Sequence, residues 1–148
     1  MFGRKYLPEY LKELSRLLER EVEPTELLSI VETDKFINSI SHFKGQEPDY
    51  KEIIRFSDKT FLTTILCNTI LDWEIPYMMF LSRSLDCGLM KIPSLSCLNF
   101  NFNDEHAGII IFTRIDGEDR ILLDYYEEHS EQMLEINIYK KKILAESQ

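Results

Sequence analysis

The segment that most constrains the fold is a pair of alternating apolar and polar runs separated by Asp116 and Gly117. Residues 107–115 precede this dipeptide and residues 118–126 follow it. Asp-Gly favours the positive backbone φ angles that a two-residue type I′ turn requires. The sequence therefore predicts an antiparallel hairpin whose two strands flank this turn.

The register that follows from this turn gives one consistently apolar face. Arg114 lies opposite Asp119 at the turn end, where their opposite charges form a pair. A four-residue loop would leave the same residues on each face, because it keeps the same cross-strand partners. The predicted apolar face consists of Ile110, Phe112, Ile121, Leu123 and Tyr125.

Two further segments predict strands on either side of the hairpin. Leu98, Phe100 and Phe102 alternate with asparagines, which indicates a half-buried strand. Residues 133–140 alternate in the same way, with their leucine and isoleucines pointing to one side. The part of the chain from about 96 to 140 is thus predicted to be rich in β-structure.

The earlier part of the chain favours helices. Leucines at helical spacing predict a helix over residues 7–23 that ends at Pro24. Residues 24–42 predict one or two helices, with Thr33 and Asp34 as a break between them. Residues 76–87 predict another helix, and Gly88 suits the left-handed position that ends a helix.

Two shorter segments are less definite. Residues 51–56 predict a short strand. Residues 60–71 fit a helix by the spacing of their apolar side chains and a strand by their threonine and isoleucine content. Their length favours the helix, since strands are usually shorter than about ten residues.

These elements predict a single α+β domain over the 148 residues. Its N-terminal helices would pack on a mainly antiparallel C-terminal β-sheet. The helical part is expected to span residues 7–87 and the β-rich part residues 96–140. Strand order and oligomeric state do not follow from these patterns.

Charge and cysteine content exclude several classes of function. The net charge of −9 argues against binding to nucleic acid or to an anionic membrane surface. We find no targeting segment and no apolar run long enough to cross a membrane, so a cytoplasmic location is expected.

Cys67, Cys87 and Cys97 form no paired motif, which predicts reduced thiols. Cys67 lies in an apolar run and is expected to be buried.

The sequence contains no motif for catalysis, cofactors or metals. His42, His106 and His129 lack the spacing of a zinc site. No nucleophile elbow or phosphate-binding loop is present. We therefore predict no catalytic residues, no cofactor, no metal ligand and a protein that is not an enzyme.

The distribution of negative charge is the one feature that suggests a function. Residues 104–135 contain ten acids and two bases, which gives −8, whereas residues 51–100 contain five of each. Such a surface would attract a basic protein, and neighbouring tyrosines would anchor it. The predicted partner-binding residues are Glu105, Glu118, Asp119, Asp124, Tyr125, Tyr126, Glu127, Glu128 and Glu131.

In size and charge the chain is similar to immunity proteins, which neutralise a toxin or nuclease by covering its basic active site. It is also similar to class-I secretion chaperones, which are small, acidic α+β proteins. No stretch carries a motif of either group. The expected function is an acidic protein–protein interaction module of the immunity or toxin-inhibitor type. A chaperone or adaptor that binds a segment of another protein, and an enzyme without a known motif, are the alternatives.

Overall fold

The computed structural model describes residues 6–58, 60–69, 74–98 and 108–141. Its helices are α1 (Leu7–Leu18), α2 (Ile30–Ser39), α3 (Thr60–Thr69) and α4 (Ser84–Cys87). Its strands are β1 (Tyr50–Arg55), β2 (Tyr77–Phe80), β3 (Met90–Ile92), β4 (Gly108–Arg114), β5 (Asp119–Glu128) and β6 (Glu131–Lys140). Short 3-10 turns lie at Pro24–Glu26, Ser41–Phe43, Phe56–Asp58 and Leu95–Cys97.

The six strands form one antiparallel sheet in the order β1-β6-β5-β4-β2-β3. The predicted α+β class is therefore confirmed. Two of the strands, β1 and β2, lie in the mainly helical part of the chain, where a strand was expected only at residues 51–56. They extend the C-terminal strands on both sides of the meander β4-β5-β6.

The core lies between one face of the sheet and helices α1 and α3. Every second residue of the central strands points into it, including Phe112, Leu123 and Ile136, which are fully buried. Tyr10 and Leu14 of α1 and Leu62 and Leu66 of α3 belong to the same apolar cluster. The leucine stripe of the first helix thus packs on the apolar face predicted for the hairpin.

The opposite side of the sheet, which we call the second face, is only partly covered. Residues 37–46, which end α2 and lead towards β1, pack over the part of it near the β4–β5 loop. His42 Nε2 lies 3.0 Å from the Gly117 carbonyl oxygen, and the Gln46 amide donates to the Lys140 carbonyl at 2.7 Å. Asn137 is also buried on this face, whereas the part of it formed by Asp124 to Glu128 and Glu131 to Glu135 is half-buried to exposed.

The predicted register of the β4–β5 hairpin is confirmed, with Phe112 opposite Ile121 and Ile110 opposite Leu123. The turn differs from the prediction. Four residues, 115–118, connect the strands, and the Gly117 N–H donates to the Arg114 carbonyl at 2.8 Å. Gly117 has φ +76°, whereas Asp116 keeps a negative φ, so the connection is not a two-residue type I′ turn.

The predicted helix over residues 76–87 is wrong. Tyr77–Phe80 is strand β2, paired with β3 and β4, and only Ser84–Cys87 is helical. Four consecutive large apolar side chains suit a strand in the interior of a sheet, where both faces are at least partly covered. Such a short run does not distinguish a buried strand from a buried helix.

Gly88 does end α4, but its conformation is not the predicted left-handed one, since φ is 109° and ψ is 143°. Its glycine identity has a different cause. A Cβ atom at this position would lie 2.2 Å from the carbonyl oxygen of Leu28. The neighbouring backbone is fixed there, because the Leu28 N–H donates to the Leu89 carbonyl at 2.9 Å.

Helix α1 ends earlier than predicted, and helix α2 begins at a different residue than predicted. Helix α1 stops at Leu18, because Glu19 adopts a left-handed conformation well before Pro24. Thr33 is not at a break but lies inside α2, which begins at the Ser29 cap. The Thr33 hydroxyl is buried and accepts a hydrogen bond from the Leu89 N–H at 3.1 Å.

The other short predictions have mixed outcomes. The strands expected at residues 51–56 and 133–140 are present as β1 and β6, and residues 60–69 are helical. Cys67 is exposed, so the expected burial of its thiol is wrong, while Cys87 is buried. The strand predicted around Phe100 lies outside the described residues.

Candidate protein-binding face

The predicted binding residues lie at opposite ends of β5 and along it. Glu118 precedes this strand, whereas Glu127 and Glu128 end it. At about 3.3 Å per residue, Glu118 and Glu128 are roughly 30 Å apart. Glu105 lies outside the described residues. The charge concentrated in this part of the sequence therefore does not form one compact patch.

Asp119 is a structural residue rather than part of an accessible surface. Its side chain is buried, and Oδ1 accepts a hydrogen bond from the Tyr77 hydroxyl at 2.8 Å. Its Oδ2 lies 3.5 Å from Arg114 Nη1 and 3.7 Å from Lys140 Nζ. The predicted pairing with Arg114 is thus present, and it removes Asp119 from the candidate binding residues.

Tyr125 is also removed from the candidates, because it points into the core. It is only 3% exposed and its ring packs against Phe56, with 5.9 Å between the ring centroids. Burial raises the pKa of its phenol far above the ordinary value. Tyr126, the next residue, points to the second face and is half-buried.

On the second face, the β5–β6 hairpin places carboxylates directly opposite each other. Asp124 lies opposite Glu135, and Glu128 lies opposite Glu131. Tyr126 and Met133 form the cross-strand pair between them. We call the surface formed by Asp124, Tyr126, Glu128, Glu131, Met133 and Glu135 the acidic face.

Strand β1 neutralises one side of the acidic face. Lys51 Nζ lies 3.7 Å from Glu135 Oε2, and Arg55 Nε lies 3.3 Å from Glu131 Oε2. Within the described ranges, no cation lies within ion-pairing distance of Asp124 or Glu128. The β5 side of the acidic face therefore carries the uncompensated charge.

The proximity of these carboxylates affects the groups that titrate there. Burial and the negative charge of Glu135 raise the pKa of Asp124. Burial also raises the pKa of the Tyr126 phenol, and Glu128, Glu135 and Asp124 raise it further. Burial is the larger cause of both shifts, and the neighbouring carboxylates add to it because they disfavour further negative charge on this face.

Exposed aliphatic side chains flank the charged pair. Ile53 lies beside Glu135 on β1, and Ile109 lies beside Asp124 on β4. Both isoleucines are nearly half exposed, at 48% and 46%. A carboxylate pair between apolar side chains suits a partner that offers a basic group surrounded by apolar surface.

The tip of this hairpin is a two-residue turn formed by His129 and Ser130. Both residues have positive φ, of 52° and 65°, which is the requirement of a type I′ turn. The turn places Glu128 and Glu131 as the last cross-strand pair. Together with Glu127, both are exposed at this end of the sheet.

Glu135 and Met133 belong to the acidic face but were not among the binding residues predicted from the sequence. The alternation of Glu135 with Ile136 predicted a strand, but not which residue of β5 lies opposite Glu135. The turn at His129 and Ser130 contains no glycine or asparagine that would have indicated the register. If these two residues had been taken as the turn, the register would have placed Asp124 opposite Glu135.

Comparison of the chain with known protein families, with curated proteins and with solved structures finds no match. In the described part of the chain, no three metal-binding side chains of His, Cys, Asp or Glu converge. The helices of that part are too short or too polar to cross a bilayer.

Proposed function

We propose that this protein is an acidic binding module that inhibits a basic protein, such as a toxin or nuclease, by covering its cationic active site. The observation that supports the proposal is the acidic face, where carboxylates are paired across β5 and β6. A binding role, rather than a catalytic one, agrees with a surface that presents charge on a rigid antiparallel sheet. We propose that it acts in the cytoplasm.

The like-charged pairs are the main argument for binding. Carboxylates directly opposite each other destabilise a sheet, and Lys51 offsets this repulsion at Glu135 but not at Asp124. A lysine or arginine from a partner would neutralise Asp124, with which no described cation pairs. Binding would relieve the electrostatic repulsion at this position. The free energy gained in this way would add to that of the new contacts.

The arrangement also predicts what the partner looks like. Its basic group would lie over Asp124, and apolar surface around that group would contact Ile53 and Ile109. Glu127 and Glu128 at the tip would interact with the polar rim of the interface and guide the encounter. We therefore propose Asp124, Tyr126, Glu127, Glu128, Glu131 and Glu135 as the residues that contact the partner.

The experiment begins with an affinity pull-down from the native host at low and high salt. Association kinetics are then measured with the recovered partner. The acidic-face variant combines Asp124→Asn, Glu128→Gln, Glu131→Gln and Glu135→Gln. A control variant removes the same charge at exposed acids elsewhere, with Glu9→Gln, Glu19→Gln, Glu21→Gln and Glu47→Gln.

We expect the acidic-face variant to associate more slowly and with a weaker dependence on salt, because steering depends on local charge. The control variant should retain most of the association rate and its salt dependence. Equal effects of both variants would show that only the net charge matters. A partner that binds the acidic-face variant as fast as the wild type would refute the proposal.

A further inference from the structure

A cavity of about 570 Å³ lies between residues 37–46 and the second face of the sheet. Its walls include Phe43 from the covering segment and Leu122 and Tyr139 from the sheet. Its volume is within the range of sites for small organic molecules, about 300–1,000 Å³. It lies at the end of the second face near Gly117, two residues along β5 from the acidic face.

Arg120 projects from β5 into the wall of this cavity. It is half-buried, and its guanidinium carbon lies 5.7 Å from the centre of the Phe43 ring. Its Nε atom is buried without a hydrogen-bond partner. Among the described residues, no carboxylate pairs with its guanidinium. Burial lowers the pKa of Arg120.

Arg114 provides a useful contrast, because it is the neighbouring arginine in the same hairpin. Its guanidinium binds Asp116 through contacts of 2.9–3.1 Å and lies near Asp119. A half-buried arginine normally acquires partners of this kind. Arg120 has none among the described residues, although the chain contains 26 acids.

The charge of the lining has the opposite sign to that of the protein. The described residues around the cavity include Arg120 and Lys44 but no aspartate or glutamate. The cavity is therefore a local positive site in a chain whose net charge is −9. Its remaining walls are largely apolar and aromatic, with Ile40, Phe43 and Leu122 among them.

We propose that this cavity binds a small organic carboxylate whose body is apolar or aromatic. The planar guanidinium of Arg120 matches a carboxylate, which accepts two parallel hydrogen bonds from it. The aromatic and aliphatic walls bury the rest of the molecule. The surrounding negative potential favours an anion of single charge over a phosphate. This site is independent of the acidic face and of the function proposed for it.

Phenylacetate is the probe, and phenylacetamide, which has the same shape without the charge, is its control. Binding to the full chain is measured by titration calorimetry at millimolar concentrations. The variants are Arg120→Met and, as an exposed arginine elsewhere, Arg16→Met. We expect phenylacetate to bind the wild type and Arg16→Met, and to bind Arg120→Met about ten-fold more weakly, the loss expected for one charge-assisted contact.

Thermal unfolding without ligand distinguishes a binding arginine from a structural one. Since the Arg120 side chain has no hydrogen bond to a described residue, the melting temperature of Arg120→Met should be equal to or above that of the wild type. If this variant does not fold, Arg120→Gln takes its place in the titration. The proposal is overturned if the wild type does not bind phenylacetate, if it binds phenylacetamide equally well, or if the variant binds phenylacetate as tightly as the wild type.

Discussion

Asp124 lies directly opposite Glu135 in the β5–β6 ladder, and both carboxylates occupy the second face of the sheet. The pair opposes folding at neutral pH, because burial and the charge of Glu135 raise the pKa of Asp124 above its ordinary value of 3.8. The folded state consequently holds this proton more tightly than the unfolded state. Stability is lost as the pH rises from the ordinary value through the folded pKa, and it stays lost above it.

The first prediction concerns this pair. Asp124→Asn removes the repulsion and should increase the free energy of unfolding at neutral pH by about 0.5 kcal/mol. The gain should disappear below the ordinary aspartate pKa, where Asp124 is protonated in both states. Urea unfolding at both pH values measures the difference. Glu127→Gln is the control, because its cross-strand partner is the neutral Gln132. A gain that does not change with pH would contradict the explanation.

The second prediction concerns the buried contact between Asp119 and Tyr77. Asp119→Ala leaves the Tyr77 hydroxyl and the cations of Arg114 and Lys140 without their carboxylate. We expect a loss of about 3 kcal/mol, measured by chemical unfolding. Glu118→Ala, at the exposed neighbouring position, should change stability by less than about 0.5 kcal/mol. Similar small effects of both substitutions would show that Asp119 is a surface residue after all.

The third prediction concerns the turn of His129 and Ser130. Positive φ is unfavourable for residues with a Cβ atom, by roughly 1 kcal/mol each. Ser130→Gly relieves this cost, and the double variant His129→Asn, Ser130→Gly has the preferred type I′ sequence. We expect the double variant to be more stable by about 1 kcal/mol in thermal unfolding. Ser130→Ala retains the Cβ atom and should give no gain, so stabilisation by alanine would argue against relief of backbone strain.

The fourth prediction compares two glycines with positive φ. A Cβ atom at Gly88 would lie 2.2 Å from the Leu28 carbonyl oxygen, whereas nothing lies within 4 Å of a Cβ atom at Gly45. Gly45→Ala should cost only the backbone strain of about 1 kcal/mol. Gly88→Ala should cost about 3 kcal/mol, because the backbone segment at Leu28 must also move. Both are measured by denaturant unfolding. Equal losses would mean that the close approach has no energetic consequence.

Sequence patterns predicted the hairpin core correctly because its faces depend only on a period of two. Phe112 and Leu123 stay on the buried side whether the loop has two residues or four. The position of β2 was not predictable in the same way. Tyr77 to Phe80 have no alternation, since side chains on both faces of this strand are buried and only Phe80 is half-buried.

The acidic face was only partly predictable for a related reason. Charge along the sequence indicated an acidic region, but alternation divides neighbouring residues between opposite sides of the sheet. Tyr125 therefore entered the core while Tyr126 stayed on the second face. The cavity at Arg120 left no signal in the sequence, because residues 37–46 reach it only through the tertiary fold.

Strand β1 forms one edge of the sheet by pairing with β6, and this pairing affects the order in which the sheet forms as the chain folds. Tyr50 meets Ile138, and the Asp49 N–H also donates to the Ile138 carbonyl at 2.8 Å. Neighbouring hairpins such as β5–β6 close short loops, whereas β1 must wait for a partner far along the chain. During translation, β1 leaves the ribosome long before β6 and has no strand to pair with. Ile54, which packs against the core of the folded protein, then stays uncovered until β6 has emerged, so this edge of the sheet is completed late in folding.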